Sequence, residues 1–373
     1  MTRNLHMIRK TCLLCDSELS DLFCFEMPVY MGINHRPEEK SISENMVFAS
    51  CKKCGEVQMR NLIDLDILYQ ANHNNGVIGK TWEEHYIEFA KFMKHDVKDR
   101  RVVEISDPSA KLPKILDGFK SWTIIEPNAE QIDIPKVNFV NEFFDRPLDK
   151  RADVIVHSHL LEHMYDPIKF LGDCSASMNL TSDMYISVPN LEYILQEKYS
   201  PNNILHFEHT YYMNDKILEF MLRKNNLFVV RAENYKNHSR FYHVKKMKMK
   251  QKDPPVVDVA QDFLKCYRKH KRSISHINRV IEAYKDIDWY IFGSHVSSQF
   301  YLKNGLDEKS FKGTLDNSSF KQGFKLYGTE LETFSPEKIK DSGKVGVVCS
   351  HAGIYYPEIK KQLESLNDEA IIL

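Results

Sequence analysis

Glycine is scarce in this chain, with 14 among 373 residues against the ~7% of an average protein. A chain with so few must make most of its tight turns with other residues. Long hydrophobic runs are missing too: no apolar stretch approaches the ~18 residues that a membrane-crossing helix needs. The opening MTRNLHMIRKTCLLC has no apolar segment followed by a small-residue cleavage site, so no membrane and a cytoplasmic location are expected. Charge of one sign is not in excess either. The 51 Lys and Arg face 52 Asp and Glu, a formal net charge of -1, so no global field gathers nucleic acid or anionic lipid. What is present is the make-up of a folded protein. Residues are 42% hydrophobic and 28% charged, which excludes a disordered chain, and the length predicts two or three domains.

Four of the eight cysteines form two pairs of equal spacing, Cys12-Leu-Leu-Cys15 and Cys51-Lys-Lys-Cys54-Gly55. Two such knuckles place four thiolates around a tetrahedral ion, so Cys12, Cys15, Cys51 and Cys54 predict a closed, structural Zn²⁺ site without chemistry of its own. A redox pair is disfavoured because no thioredoxin-like βαβ pattern accompanies it. Cys24, Cys174, Cys266 and Cys349 have no partner at ligand spacing and read as small core residues. Between the knuckles Phe23, Phe25, Met27, Val29 and Tyr30 suggest short strands packed over the metal. The same insert lacks interleaved basic and aromatic residues, so a nucleic-acid partner is not expected.

Trp82, Tyr86, Phe89 and Phe92 recur at helical spacing. Apolar runs at Arg101–Ile105, Trp122–Glu126, Asp153–Val156 and Asp183–Val188 then alternate with helical stretches at 111–118 and 166–177. Alternation of this kind predicts a doubly wound α/β sheet. The Lys-rich stretch ending in Pro254-Pro255 reads as a solvated hinge. Beyond it lies a helix over 257–285, then a second α/β unit with strands at Trp289–Gly293, Phe311–Leu315 and Gly343–Cys349. The predicted division is 1–75 for the zinc module, 76–245 for the central domain and 246–373 for the C-terminal α/β domain.

Four segments hold candidate chemistry, the first two at the ends of successive strands. The first strand of the central domain ends in Glu104-Ile105-Ser106-Asp107-Pro108-Ser109-Ala110, and the second ends in Glu126-Pro127. The run Asp153-Val-Ile-Val156-His157-Ser158-His159-Leu160-Leu161-Glu162-His163-Met164-Tyr165-Asp166-Pro167 follows. Three His within seven residues also suggest metal, but His159 and His163 would need a helix and further ligands. In Ile204-Leu205-His206-Phe207-Glu208-His209-Thr210-Tyr211-Tyr212, an acid beside an imidazole suits a general base near the carboxyl edge of the sheet.

The strand-four run resembles the signature of class I S-adenosylmethionine (SAM)-dependent methyltransferases, and across nearly the whole chain the blocks resemble the three-domain sugar C-methyltransferases. Those blocks are the two knuckles with Cys51 to Gln58, the run ending in Leu161-Glu162-His163, Phe207-Glu208-His209-Thr210-Tyr211-Tyr212, Ile291-Phe292-Gly293-Ser294, Leu315-Asp316-Asn317, Lys321-Gln322-Gly323 and Phe334-Ser335-Pro336. The resemblance implies an α/β protein with a central class I methyltransferase Rossmann-like domain, an N-terminal zinc-binding module and a second Rossmann-like domain at the C-terminus. It implies SAM as donor and a nucleotide-linked keto-deoxysugar as substrate, with monomer or weak homo-oligomer as the expected state. His209 would be the base with Glu208 beside it, His163 would polarise the keto oxygen, and His206 would complete the catalytic set. Glu104, Ser106, Asp107, Ala110, Glu126, His157 and His159 would lie around the donor.

The chain departs from the family where it holds His206 in place of Tyr, Phe207 in place of His, and His73-Asn74-Asn75-Gly76 in place of a Tyr-rich segment. The cofactor turn has no glycine at all, and Pro108, with φ fixed near about −65°, is unsuited to a left-handed turn. Two other readings therefore stand beside methyl transfer. One is donor-independent chemistry on a keto sugar, and the other is non-catalytic binding of a nucleotide-sugar or a partner.

Overall fold

A computed structural model describes residues 6–36, 40–69, 80–196, 202–248, 250 and 252–373. The expectation drawn on His73–Gly76 lies outside them. The first unit holds β1 (His6–Ile8), β2 (Leu19–Pro28), β3 (Ser43–Cys51), β4 (Val57–Met59), β5 (Asn61–Ile63) and the one-turn α1 (Leu65–Leu68). β2, β3 and β4 form an antiparallel sheet, and β1 pairs with β5. Phe23 and Phe25 of β2 and Phe48 of β3 stack as an aromatic layer. Where short strands over the metal are expected, β2 and β3 have ten and nine residues, and the layer packs against Tyr267 and Phe300, in a core cluster separate from that of Cys12, Cys51 and Cys54.

The central unit opens with α2 (Lys80–Met93), whose His85, Phe89, Ala90, Phe92 and Met93 are buried along one face, the stripe of an amphipathic helix. It continues through β6 (Arg101–Ile105), α3 (Lys111–Ile115), β7 (Ser121–Ile125), β8 (Val137–Val140), β9 (Ala152–Ser158), α4 (Pro167–Ala176), β10 (Met178–Pro189), α5 (Leu191–Ile194), α6 (Asp215–Lys224), β11 (Leu227–Tyr235) and β12 (Ser239–Lys246). The sheet order is β11-β12-β10-β9-β6-β7-β8. Only β12 runs antiparallel to its neighbours; the other pairings are parallel. β9 reads as a near-continuous apolar run because it is covered on both faces. β6 lies between β9 and β7, so the strand order reverses at β6, and the crevice at the carboxyl ends of β6 and β9 is where such sheets bind ligands.

The third unit comprises α7 (Ala260–Ala283), β13 (Asp288–Phe292), α8 (Val296–Lys303), β14 (Phe311–Leu315), β15 (Thr333–Phe334), β16 (Val345–Val348), α9 (Tyr356–Leu366) and β17 (Ile371–Ile372). Its five strands are parallel in the order β15-β14-β13-β16-β17. One apolar core joins the three units, since Phe25 and Phe48, Leu205 and Phe207, and Phe263 and Phe300 belong to the same cluster.

Three further expectations need correction. The Lys-rich stretch is shorter than expected: β12 extends through Lys245 and Lys246, Met247, Lys248, Lys250, Lys252 and Asp253 are exposed, and past them Val257 N–H donates to Cys54 O at 2.8 Å. That docking explains Gly55 in the second knuckle. Gly55 has φ +76°, and a Cβ there would meet Val257 O at 1.8 Å, so only glycine fits. Cys24 is exposed, unlike the buried Cys174, Cys266 and Cys349. Finally, α3 stops at Ile115 rather than 118.

Candidate functional site

The glycine-free turn keeps a glycine-like backbone. Ser106 has φ +68° and Ala110 φ +50°, both in the left-handed region that costs a non-glycine residue roughly 1–2 kcal/mol. The left-handed positions flank Pro108 instead of including it, which corrects the inference that proline bars such a turn. Asp107 holds the loop together, its Oδ1 accepting from Ser109 N at 3.0 Å and its Oδ2 from Lys111 N at 2.6 Å. Ser106 N donates to Ile125 O at 3.0 Å, tying the turn to the end of β7. There Glu126 Oε1 accepts from Asn128 N at 3.0 Å. Ser106, Asp107, Ala110 and Glu126 thus share the carboxyl edge of the sheet.

The other three residues expected around the donor sit differently. Glu104 is buried in the sheet, where Oε2 accepts from Trp122 Nε1 at 2.8 Å, and burial pushes its carboxyl well above the usual range. His157 is fully buried with its ring against Phe170 on the α4 side, because alternate residues of a strand face opposite ways; burial lowers its pKa to about 3. His159 leaves the strand with φ +49°. Its Nε2 lies 2.8 Å from Ser239 Oγ and its ring packs edge-on against Trp82, and burial lowers its pKa to about 3.

The histidines and carboxylates of the other two segments converge. After β9 a single 3₁₀ turn spans Leu161–His163. It stops there because Asp166 caps α4, accepting from Lys169 N at 2.9 Å, and Pro167 fills the first helical turn. That is the physical content of Leu-Glu-His followed by Asp-Pro. The His206–Tyr212 segment packs against this turn, with Thr210 N donating to Glu162 O at 3.1 Å and Tyr211 OH donating to Leu161 O at 2.5 Å. The N-terminal unit clamps the same segment. Met59 N donates to Thr210 O at 2.9 Å, and the buried guanidinium of Arg9 reaches Thr210 O at 2.8 Å and Tyr165 O at 3.2 Å.

His163, His206, Glu208 and His209 therefore come together, but the pairing is crosswise. The turn at Phe207-Glu208 sends Glu208 away from its neighbour, so Glu208 Oε2 lies 3.7 Å from His163 Nδ1. The carboxylate facing His209 is Glu162, with Oε1 3.9 Å from His209 Nε2 and 3.2 Å from His159 Nδ1. This corrects the expectation that Glu208 orients His209. The His209 ring stands edge-on to His163 at 4.8 Å and lies 4.2 Å from His206. Tyr69 OH is 3.1 Å from His163 Nδ1. Burial raises Glu162 to about 7, opposed by His209, and raises Glu208 to about 7. Burial also holds His163 and His206 well below the ordinary histidine value, so both imidazoles are neutral at pH 7.

Glu162 and Tyr69 were not singled out from the sequence. Glu162 had a signal, as the acid inside the Leu-Glu-His run; Tyr69 had none. A small cavity of about 20 Å³ lies beside Glu162 and His209, walled by Leu191, Ile194, Tyr212 and Met213.

At the other end of the N-terminal unit, one sulfur each from Cys12, Cys15, Cys51 and Cys54 lies within 4.8 Å of the others. Cys12 Sγ accepts from Leu14 N at 3.4 Å and Gln58 Nε2 at 3.4 Å, while Cys51 Sγ accepts from Lys53 N at 3.3 Å and Cys54 N at 3.4 Å. Backbone N–H groups aimed at converging sulfurs suit thiolates, and a four-thiolate set fits Zn²⁺. No described helix is long and apolar enough to cross a membrane.

Residues 88–232 match the methyltransferase domain family. Among solved structures, the chain is similar to the mitomycin 7-O-methyltransferase MmcR, at 14% identity over 48% of this chain and 62% of that one, with TM-score 0.39. It is also similar to the Burkholderia thailandensis 1,6-didemethyltoxoflavin-N1-methyltransferase, solved with S-adenosylhomocysteine, at 13% identity over 47% and 83% with TM-score 0.37. A third is the Synechocystis PCC 6803 magnesium protoporphyrin IX methyltransferase, at 10% identity over 44% and 84% with TM-score 0.36. Among curated proteins there is no match.

Proposed function

We propose that the protein is a SAM-dependent C-methyltransferase acting beside the ketone of a nucleotide-linked deoxysugar. The observation that carries this reading is the left-handed backbone at Ser106 and Ala110, a turn open to a cofactor without glycine, at the same sheet edge as the His163, Glu208 and His209 cluster. Around the donor, Glu126 keeps Oε2 for a ribose hydroxyl while Oε1 serves the turn at Asn128. SAM supplies an electrophilic methyl group and leaves as S-adenosylhomocysteine. The structural role of the four cysteines is to hold Zn²⁺, which ties β4 to the catalytic segment.

His209 takes the acidic proton from the carbon next to the ketone, and the C–H electron pair moves into the enolate. Glu162, 3.9 Å away, balances the charge that the ring gains. The 3.1 Å contact between Tyr69 OH and His163 Nδ1 suits the tautomer with its N–H on Nε2, which would donate to the developing oxyanion. Glu208 Oε2 flanks the same Nδ1 of His163 beside Tyr69, and His206 packs the His209 ring in place. The C-terminal α/β unit closes over the nucleotide.

The test is His209→Ala in the zinc-loaded protein, supplied with a nucleotide-linked keto sugar and SAM. Loss of both methyl transfer and α-proton exchange with solvent supports the assignment; undiminished turnover overturns it. Exchange in wild type that needs no donor and yields no methylated product would favour donor-independent sugar chemistry instead.

A further inference from the structure

We propose that Glu162, His163 and His209 form a second metal site, separate from the four-cysteine centre, that takes a borderline divalent cation such as Zn²⁺ or Co²⁺. One ligand atom from each of the three lies within 4.8 Å of the other two. A cation at ordinary bond lengths needs these atoms about 3 Å apart, a closure that rotation of His163 and a small movement of the 3₁₀ turn supply.

The donor set points to the cation. Two imidazoles and one carboxylate exclude a hard-cation cage of Mg²⁺ type and match the three-ligand sites that hold first-row transition ions with positions left open. Independent of that spacing, both carboxylate oxygens of Glu162 are buried without a hydrogen-bond partner, on a residue only 2% exposed. A carboxyl in that condition, with only His159 Nδ1 close by at 3.2 Å, either holds a proton or is satisfied by a cation. His206, whose Nδ1 is also buried and unpartnered, lies with its ring 4.2 Å from His209.

Surrounding groups have the arrangement of an outer shell. His159 Nδ1 sits 3.2 Å from Glu162 Oε1 while its Nε2 contacts Ser239 Oγ, and Tyr69 OH and Glu208 flank His163 Nδ1. Metal ligands are commonly oriented this way by neighbours that bond their second atom. His159 is held at φ +49°, a conformation a non-glycine residue adopts only when its surroundings enforce it.

The functional consequence rests on the proposed role of His209. A cation bound there occupies the ring lone pair that would accept the substrate proton, so metal binding and proton abstraction exclude each other. The site is an inhibitory one, in which the cation switches off the base until it is withdrawn.

The test uses the full chain with its four cysteines loaded with Zn²⁺, titrated with Co²⁺ in the absence of substrate. The expected result is one further equivalent of cobalt, with a weak visible spectrum of nitrogen and oxygen ligation and no thiolate charge-transfer band. Glu162→Gln and His209→Asn, each checked for a native thermal transition, should lose that equivalent while retaining the structural zinc. No second equivalent in folded wild type overturns the site, as does uptake unaffected by both substitutions. In a parallel assay of α-proton exchange, saturating Zn²⁺ should slow wild type at least tenfold, with recovery on adding a chelator too weak to strip the four-cysteine centre. Cobalt uptake without inhibition would leave the metal site standing and reject His209 as the base.

Discussion

Glu162 Oε1 lies 3.9 Å from His209 Nε2, a pairing across two loops, whereas the sequence neighbour of His209, Glu208, turns to His163 instead. The two carboxylates therefore face different imidazoles. Glu162→Gln should lower the rate of α-proton removal by about 10²-fold, within the range that acid–base groups contribute, with a smaller effect on substrate KM. Glu208→Gln should act through His163 and lower the rate less. Initial rates of methyl transfer for the two variants check this, and a larger loss in Glu208→Gln would reverse the assignment.

The strained turn predicts an unusual tolerance. Ser106→Gly and Ala110→Gly remove a left-handed penalty of about 1 kcal/mol each, offset in part by the greater freedom of glycine in the unfolded chain. Both should be neutral to mildly stabilising in urea unfolding and should keep affinity for S-adenosylhomocysteine. Ala110→Val, a β-branched residue at φ +50° with no exposed surface, should cost about 2 kcal/mol or more and weaken the donor site.

Gly55→Ala tests the seam between the zinc knuckle and the chain entering α7. The added Cβ would fall 1.8 Å from a backbone oxygen of Val257 at a residue with φ +76°. The expected cost is about 2–4 kcal/mol, read as a lower thermal midpoint, with the metal still bound because the four sulfurs are untouched. Cys12→Ser should instead lose the structural metal itself.

Stability toward acid should depend on Asp183, which is 3% exposed. Burial alone would raise its pKa, but hydrogen bonds from His243 and Arg100, at 2.6 Å each, together with their charge hold it at about 2. A carboxylate depressed in the folded state stabilises the protein above its ordinary pKa near ~4, and that contribution is lost as pH falls toward about 2. Its size is about 2 kcal/mol. Asp183→Asn should lower stability at pH 7 and flatten the pH dependence between about 4 and 2, measured by urea unfolding at each pH.

Sequence patterning made the central sheet legible because its strands are short apolar runs between amphipathic helices: β6, β7, β9 and β10 fall where the runs stand, and the Cys pairs converge as spacing predicts. What patterning could not reveal is which side chains meet across loops. The crosswise pairing of Glu162 and Glu208 depends on a turn at Phe207-Glu208 and on clamps from Arg9 and Met59, contacts far apart in the chain. The backbone of the turn after β6 was illegible for a different reason. Left-handed geometry can be enforced on Ser106 and Ala110 by Asp107 and by the bond to Ile125, and composition records the missing glycines but not the bonds that replace them.

The most direct measurement is a calorimetric titration of the zinc-loaded protein with S-adenosylhomocysteine and SAM. The account predicts micromolar binding of one molecule per chain, weakened at least tenfold in Ala110→Val. Absence of binding to folded wild-type protein would contradict the claim that a glycine-free turn seats the methyl donor.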